Sequence, residues 1–320
     1  MKVVITDYQY TDIDSERRIV TEFGAELADF QCKTEEDLIA ATHDADAVIV
    51  QYCQITENVL AHMEHCKVVI KYGIGVDNID VEAATKYGVY VANVPAYGVE
   101  EVSNHAFTFL LCCARGLPIL TKQLKEGVWG YGSCPTLQRL STTTVGLIGF
   151  GRIPQQVCAK ARAFGMRVLA SDPFMPDDKV RELGAEPVSL DELFANSDFV
   201  SVHCPLTKDT KHLICKDTLA KMKKTAYLIN TARGGCVCEA DLVEALKNGE
   251  LAGAALDVFE SEPITADHPL LQLPNVIATS HMAWFTEQAI ADVQRMAAEE
   301  AVHVLAGNPP KALINRELLK

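Results

Sequence analysis

Short β-branched runs alternate with helical stretches, a break falls at 95–98, and a second series of strands opens on a glycine turn. These three observations predict an α/β chain built on two parallel sheets covered by helices. The 320 residues suffice for two domains, and 48% hydrophobic content supplies apolar material for two cores.

In the first series, Val3–Thr6, Ala47–Gln51, Val68–Lys71 and Val89–Ala92 read as buried strands, each followed by a polar or glycine-containing turn. Thr34–Thr42 and Val81–Lys86 read as helices between them. A long helix is expected from Glu100 to about Gly116, apolar on most faces at Phe107, Phe109, Leu110 and Leu111. Such a helix sits inside a domain or at a subunit interface. The second series has strands at Val145–Ile148, Arg167–Ala170, Phe199–Val202, Tyr227–Ile229, Ala254–Asp257 and Val276–Ala278, six against four. Glu287–Leu305 closes the chain as a helix whose domain the pattern alone leaves open.

Bulk properties exclude several classes. A net charge of −14 and no strong basic cluster argue against nucleic acid as a partner. No run of about 18 apolar residues is present, so no membrane span is expected. Asp7 interrupts the apolar start, so no secretory signal is read there. The odd count of 11 cysteines, without paired zinc spacing, then points to free thiols, no metal and a cytoplasmic setting.

Residues 145–151, Val-Gly-Leu-Ile-Gly-Phe-Gly, run from a buried strand into a glycine turn. Gly149 can take the tight turn, and Gly151 lets the backbone approach a pyrophosphate. The helix read at Gln155–Phe164 would aim its positive end at those phosphates. Asp172 lies 23 residues after Gly149, near the interval for an acid that holds the adenosine ribose hydroxyls. A 2′-phosphate about 4 Å from that carboxylate would be repelled by up to about 4 kcal/mol. NAD is therefore expected over NADP by at least about tenfold in catalytic efficiency. Pro154 stands where a third glycine belongs; it is tolerated in a first helical turn, with a slightly displaced helix expected.

Three further segments end strands of the second sheet: Asn230–Gly235, Asp257–Pro263 and Ser280–Trp284. Loops at the carboxyl ends of parallel strands converge on a ligand crevice. The chemistry fits reduction of a 2-oxo acid. Arg233 can grip the carboxylate and polarise the carbonyl. His281 can supply the proton, and Glu262 can orient the imidazole and raise its pKa. Taken singly each has a plain alternative: a strand-end cap for Arg233, a surface acid for Glu262, a packed core residue for His281.

With the stretch Lys71-Tyr-Gly-Ile-Gly-Val-Asp-Asn-Ile-Asp80, the Asn230–Gly235 and Asp257–Pro263 motifs and their 29-residue interval from Arg233 to Glu262, the chain resembles the D-isomer-specific 2-hydroxyacid dehydrogenase family. The resemblance covers nearly the whole chain. It implies a Rossmann-type nucleotide-binding domain (99–289) inserted into a flavodoxin-like substrate domain (1–98 and 290–320), with substrate reacting in the cleft between them. It places the catalytic set on Arg233, Glu262 and His281. Cofactor contacts fall on Gly149, Phe150, Gly151, Arg152, Ile153, Pro154, Asp172, His203, Cys204, Pro205, Thr207, Thr231, Ala232, Arg233, Asp257 and His281. Gly73, Ile74 and Gly75 would offer backbone N–H groups to the substrate carboxylate, beside Arg233 and His281. The long helix after Gly98 would lie in a homodimer interface.

Asn93-Val-Pro95, Val99-Glu-Glu101, Glu260-Ser-Glu-Pro263 and Ala283-Trp284 resemble the C-terminal-binding-protein-like members. An NAD-sensing scaffold is therefore a rival reading, weakened by the intact catalytic set. A phosphoglycerate- or hydroxypyruvate-type dehydrogenase is another. The sequence stopping at Lys320, without room for a regulatory domain, and the lack of a phosphate-binding cluster weigh against it. Trp284, so close to His281, reads as a substrate-pocket wall, with core filling as the alternative. The histidine of Val-His203-Cys reads as structural more than functional. His62 and His65 read as solvated or packed rather than ligating, and His105 as packed at the long helix.

Overall fold

A computed structural model describes residues 1–130 and 137–319. The chain divides into two compact units, Met1–Gly98 with Phe285–Lys320, and Val99–Trp284.

The first unit runs β1 (Lys2–Ile5), α1 (Asp14–Glu22), β2 (Glu26–Asp29), α2 (Glu35–Thr42), β3 (Ala47–Val50), α3 (Glu57–Ala61), β4 (Val68–Lys71), α4 (Val81–Lys86) and β5 (Tyr90–Ala92). Its sheet is all parallel in the order β2-β1-β3-β4-β5, the flavodoxin-like arrangement. Thr34 caps α2 rather than opening it, its hydroxyl accepting the Asp37 N–H while the Asp37 carboxylate returns the bond. The central strands are fully buried at Val3, Val48, Ile49, Val69 and Ile70, because helices cover both faces. The returning helix Glu287–Leu305 joins this unit, packing on α1, β3 and β4. Its Gln294 amide donates to the Asp12 carbonyl at 2.7 Å. Beyond it, Asn315 accepts the Val91 N–H at 2.8 Å and donates to the Val89 carbonyl at 2.9 Å, satisfying the free edge of β5.

The second unit runs α5 (Val99–Ala114), α6 (Leu117–Lys125), β6 (Thr144–Ile148), α7 (Arg152–Ala163), β7 (Arg167–Ser171), α8 (Asp177–Glu182), β8 (Glu186–Pro187), α9 (Leu190–Asn196), β9 (Phe199–Val202), α10 (Lys216–Leu219), β10 (Tyr227–Asn230), α11 (Glu239–Lys247), β11 (Gly253–Leu256) and β12 (Val276–Ala278). Its strands are parallel in the order β12-β11-β10-β9-β6-β7-β8. The order reverses between β6 and β9, so a crevice opens there at the carboxyl ends, where a dinucleotide binds in doubly wound sheets. Phe107, Phe109 and Leu110 of α5 pack with Val145, Leu147, Ile229 and Ala255 of the sheet, so much of the apolar surface of this long helix is used inside its own unit.

The sheets have five and seven strands, not the expected four and six. Both additions are edge strands. β2 is only half covered and lacks β-branched residues; β8 is two residues long and ends in proline. Neither shows the buried β-branched run by which strands are recognised. The helix after the glycine turn starts at Arg152, three residues before the expected Gln155, with Pro154 buried inside its first turn. Proline is accommodated there because the N–H it lacks would have had no intrahelical acceptor.

Candidate active site

The glycine turn is shaped by three constraints. Gly149 has φ +87°, and a Cβ there would meet the His203 carbonyl at 3.1 Å and the Cys204 nitrogen at 3.2 Å. The turn after β6 is thus pressed against the loop after β9. Phe150 is buried and donates its N–H to Asp172 Oδ2 at 2.7 Å. The other Asp172 oxygen accepts the Phe174 N–H at 2.8 Å, so the acid expected to bind ribose also holds the turn. Gly151, in contrast, is exposed, and a Cβ there would meet nothing within 4 Å. Among the described residues no contact demands glycine at 151. The N–H groups of Gly151, Arg152 and Ile153 have no acceptor among the described residues. Open space, unpaired donors and a helix N-terminus together fit a pyrophosphate.

The remaining residues expected to bind cofactor line neighbouring loops. The His203 ring turns back to Ser201, Nε2 to Oγ at 2.8 Å, and burial pushes its pKa down to about 3. Its backbone, not its ring, borders the glycine turn. The Cys204 thiol is pushed upward, first by its contact with Cys236 and then by burial. Thr210 donates its hydroxyl to the Pro205 carbonyl at 2.6 Å and pairs with the Thr207 hydroxyl at 3.1 Å, closing an exposed turn. Among the described residues the buried Thr231 hydroxyl has no hydrogen-bond partner, a costly state that a bound ligand would relieve.

Arg233 follows β10 through a turn built by Asn230. That buried amide accepts the Ala232 N–H at 3.0 Å and donates to the Arg233 carbonyl at 2.9 Å. Next in the chain, Gly234 lies so near Phe259 that a Cβ would fall 1.9 Å from its carbonyl carbon. The loop carrying Arg233 is therefore seated directly on the loop carrying Glu262.

Glu262 accepts the Phe259 N–H on Oε1 at 2.9 Å and meets His281 Nδ1 with Oε2 at 2.6 Å. Burial opposes its ionisation. The His281 bond and charge, the Phe259 N–H and the Arg233 guanidinium outweigh that and hold its pKa below the usual glutamate range. Nδ1 is thus engaged by a carboxylate, while Nε2 has no partner among the described residues.

His281 has φ +53°, a left-handed conformation that costs a non-glycine residue roughly 1–2 kcal/mol. Asp257, 1% exposed, holds it there. The Asp257 carbonyl accepts the His281 N–H at 2.7 Å. Its carboxylate accepts the N–H groups of Met282 at 3.0 Å and Ala283 at 2.8 Å and the Thr279 hydroxyl. Trp284 donates Nε1 to the His281 carbonyl at 3.1 Å, bracing the same loop from its far end. Asp257 and Trp284 stood out in the sequence. Thr279 did not, since nothing local distinguishes it from any strand-end threonine.

In the first unit, the turn after β4 carries Gly73 at φ +144°. The Gly73 carbonyl accepts the Val94 N–H at 2.9 Å, and the Ile74 carbonyl accepts the Asn93 amide at 2.6 Å. The N–H groups of Ile74 and Gly75 have no acceptor among the described residues and remain available. That unit also has a cavity of about 450 Å³, lined in part by Asp7, Tyr8, Gln31, Lys33, Tyr52 and Cys53, at which no residue was expected to act. His62 and His65 are exposed, and among the described residues no three His, Cys, Asp or Glu side chains are grouped to hold a metal. Nor, among them, is any helix long and apolar enough to cross a membrane.

Residues 107–283 match the family model of the D-isomer specific 2-hydroxyacid dehydrogenase NAD binding domain. The chain is 39% identical over 317 residues to D-3-phosphoglycerate dehydrogenase of Methanocaldococcus jannaschii, covering 98% of this chain and 59% of that protein. It therefore spans little more than half the length of that relative. It is 39% identical over 287 residues to glyoxylate reductase of Korarchaeum cryptofilum, covering 88% of this chain and 86% of that one. The structure resembles D-lactate dehydrogenase from Aquifex aeolicus complexed with NAD and lactic acid, with a TM-score of 0.86 and 29% identity over 99% of this chain and 97% of the other.

Proposed function

The chain belongs to the D-isomer-specific 2-hydroxyacid dehydrogenase family, and from that premise we propose that it is an NAD-dependent reductase of small 2-oxo acids. The observation that carries the proposal is the Glu262–His281 pair at 2.6 Å, with Arg233 close enough to lower the Glu262 pKa.

NADH, when bound, supplies the hydride that reduces the 2-oxo carbon to the D-alcohol. Arg233 binds the substrate carboxylate and polarises the carbonyl, a planar guanidinium suiting both oxygens. His281, protonated at Nε2, gives its proton to the oxygen that becomes the alcohol. Glu262 keeps Nδ1 protonated, so Nε2 is the nitrogen that cycles, and it stabilises the imidazolium before transfer. The turn N–H groups of Ile74 and Gly75 serve the substrate carboxylate, and Trp284 faces the side chain. Gly149–Pro154 and Asp172 hold the pyrophosphate and ribose, and Thr231 and Asp257 the remainder of the cofactor. On this reading the second unit is the nucleotide domain and the first the substrate domain.

Two further assignments complete the proposal. A homodimer is supported by Leu117 and Leu124 of α6 and by Val128 and Trp129, all of which are exposed. A cytoplasmic setting is supported by the free cysteines found among the described residues.

The test is NADH oxidation against glyoxylate, hydroxypyruvate, pyruvate, oxaloacetate, phenylpyruvate and branched-chain 2-oxo acids, with His281→Ala beside the parent. A general acid contributes about 10²- to 10⁴-fold, so turnover should fall by that factor while NADH still binds. A full-rate variant, or a parent that reduces none of these acids, overturns the proposal.

A further inference from the structure

A second histidine lies behind the proposed acid and has no part in the scheme above. His105, on α5, places Nε2 3.0 Å from Thr279 Oγ1 and 3.9 Å from Asp257 Oδ1, its ring edge-on to Phe109. Thr279 has one hydroxyl proton and donates it to Asp257 Oδ1. The contact with His105 therefore requires the imidazole to donate from Nε2. Asp257 receives in turn the N–H groups of Met282 and Ala283, and its carbonyl holds His281. One hydrogen-bonded line thus joins α5 to the loop of the proposed acid.

The line holds one acid and one titratable base. Asp257 is buried, and the His105 imidazole lies within ion-pair distance of it. Among the described residues, no charged side chain on the elements packed against α5 hydrogen-bonds this line. β10 has no charged side chain, Lys160 of α7 turns to Ser103 and Gln156, and Lys122 and Lys125 lie in the last turn of α6. Glu100 and Glu101 stand in the first turn of α5 itself.

We propose that His105 is a positioning residue that sets the net charge of the His105–Thr279–Asp257 line, and through it the preference of the site for oxidised over reduced cofactor. This rests on the assignment of His281 and Asp257 to the nicotinamide end. The oxidised ring carries one positive charge and the reduced ring none. With His105 neutral the line carries one negative charge and favours NAD⁺. With His105 protonated it is neutral and the preference disappears. Burial outweighs the pull of Asp257 and holds His105 below the ordinary histidine range, so the negative state prevails at neutral pH.

His281 and its partner Glu262 are both titratable groups of the same site, so the test uses the double variant His281→Ala, Glu262→Gln as the parent. Dissociation constants of NAD⁺ and NADH are measured by calorimetry from pH 5 to 8, with His105→Gln and His105→Phe added separately. In the parent, affinity for NAD⁺ relative to NADH should rise about fivefold with pH as the line gains its negative charge, a change of about 1 kcal/mol. His105→Gln retains an N–H donor for Thr279 without a titrating group; its ratio should stay flat, near the parent's high-pH value. His105→Phe should also be flat, with weaker binding of both forms as Thr279 loses its donor. A slope that survives His105→Gln overturns the proposal alone. Failure of the parent to bind either form overturns the nicotinamide-site assignment, and this proposal with it.

Discussion

Gly234 offers a direct test of how the site is assembled. An alanine there would bring its Cβ to 1.9 Å from both the carbonyl carbon and oxygen of Phe259 and 2.5 Å from the Glu260 nitrogen. These are backbone atoms, so no side chain can swing aside. Ordinary contact begins at 3.4 Å, so the two loops must part by about 1.5 Å. The displacement separates Arg233, one residue before, from Glu262, three residues after Phe259. A misplacement of about 1 Å in a reacting geometry costs about 10²-fold, so kcat/KM for any accepted 2-oxo acid should fall at least that far. Overpacking should also cost about 1–3 kcal/mol of stability, readable as a lower denaturant midpoint. The glycine turn at 149–151 is formed by other contacts, so NADH affinity should fall less than kcat/KM, losing only what the Thr231 and Asp257 loops contribute to it. Steady-state rates, NADH fluorescence titration and urea unfolding on the same preparation measure all three. A Gly234→Ala variant with the parental kcat/KM would show that the two loops do not position the chemistry.

Other substitutions separate other parts of the reasoning. Gly151→Ala meets no protein atom and has an ordinary φ of −72°, so stability should hold or rise by about 0.4–1 kcal/mol while NADH affinity falls at least about tenfold; unchanged affinity would remove 151 from the pyrophosphate site. Trp284→Ala should alter the order of preference among 2-oxo acids and leave NADH affinity nearly intact; an unaltered order would leave Trp284 only as a brace for the His281 loop. His203, held near pKa 3 by burial, binds its proton less readily in the folded state than in the unfolded one, where the value is about 6.5. Its contribution to stability is therefore full above about pH 6.5 and is lost as pH falls from there toward 3, with a slope of at most about 1.4 kcal/mol per pH unit. His203→Gln should flatten that part of the stability–pH curve in chemical denaturation, and a curve parallel to the parent's would contradict the burial argument.

Local pattern determined a great deal of this protein. Buried β-branched runs such as Val68–Lys71 and Phe199–Val202 are strands at those bounds, and Glu287–Leu305 is a helix over its full predicted length. Each element's own periodicity encodes what it will bury. The glycine turn was read from its own spacing, whereas Arg233, Glu262 and His281 were singled out through the family resemblance, because each alone has a plain alternative. Tertiary structure decided the rest. β2 and β8 become strands only because a neighbouring edge offers hydrogen bonds, which their own residues do not announce. The returning helix finds its unit through Gln294 and α1, nearly three hundred residues apart in the chain. His105, Thr279 and Asp257 come from three distant segments, and only packing α5 across β10 and β11 makes them one hydrogen-bonded line. Periodicity depends on neighbours a few positions away, whereas a buried polar contact depends on which distant backbone happens to lie against it.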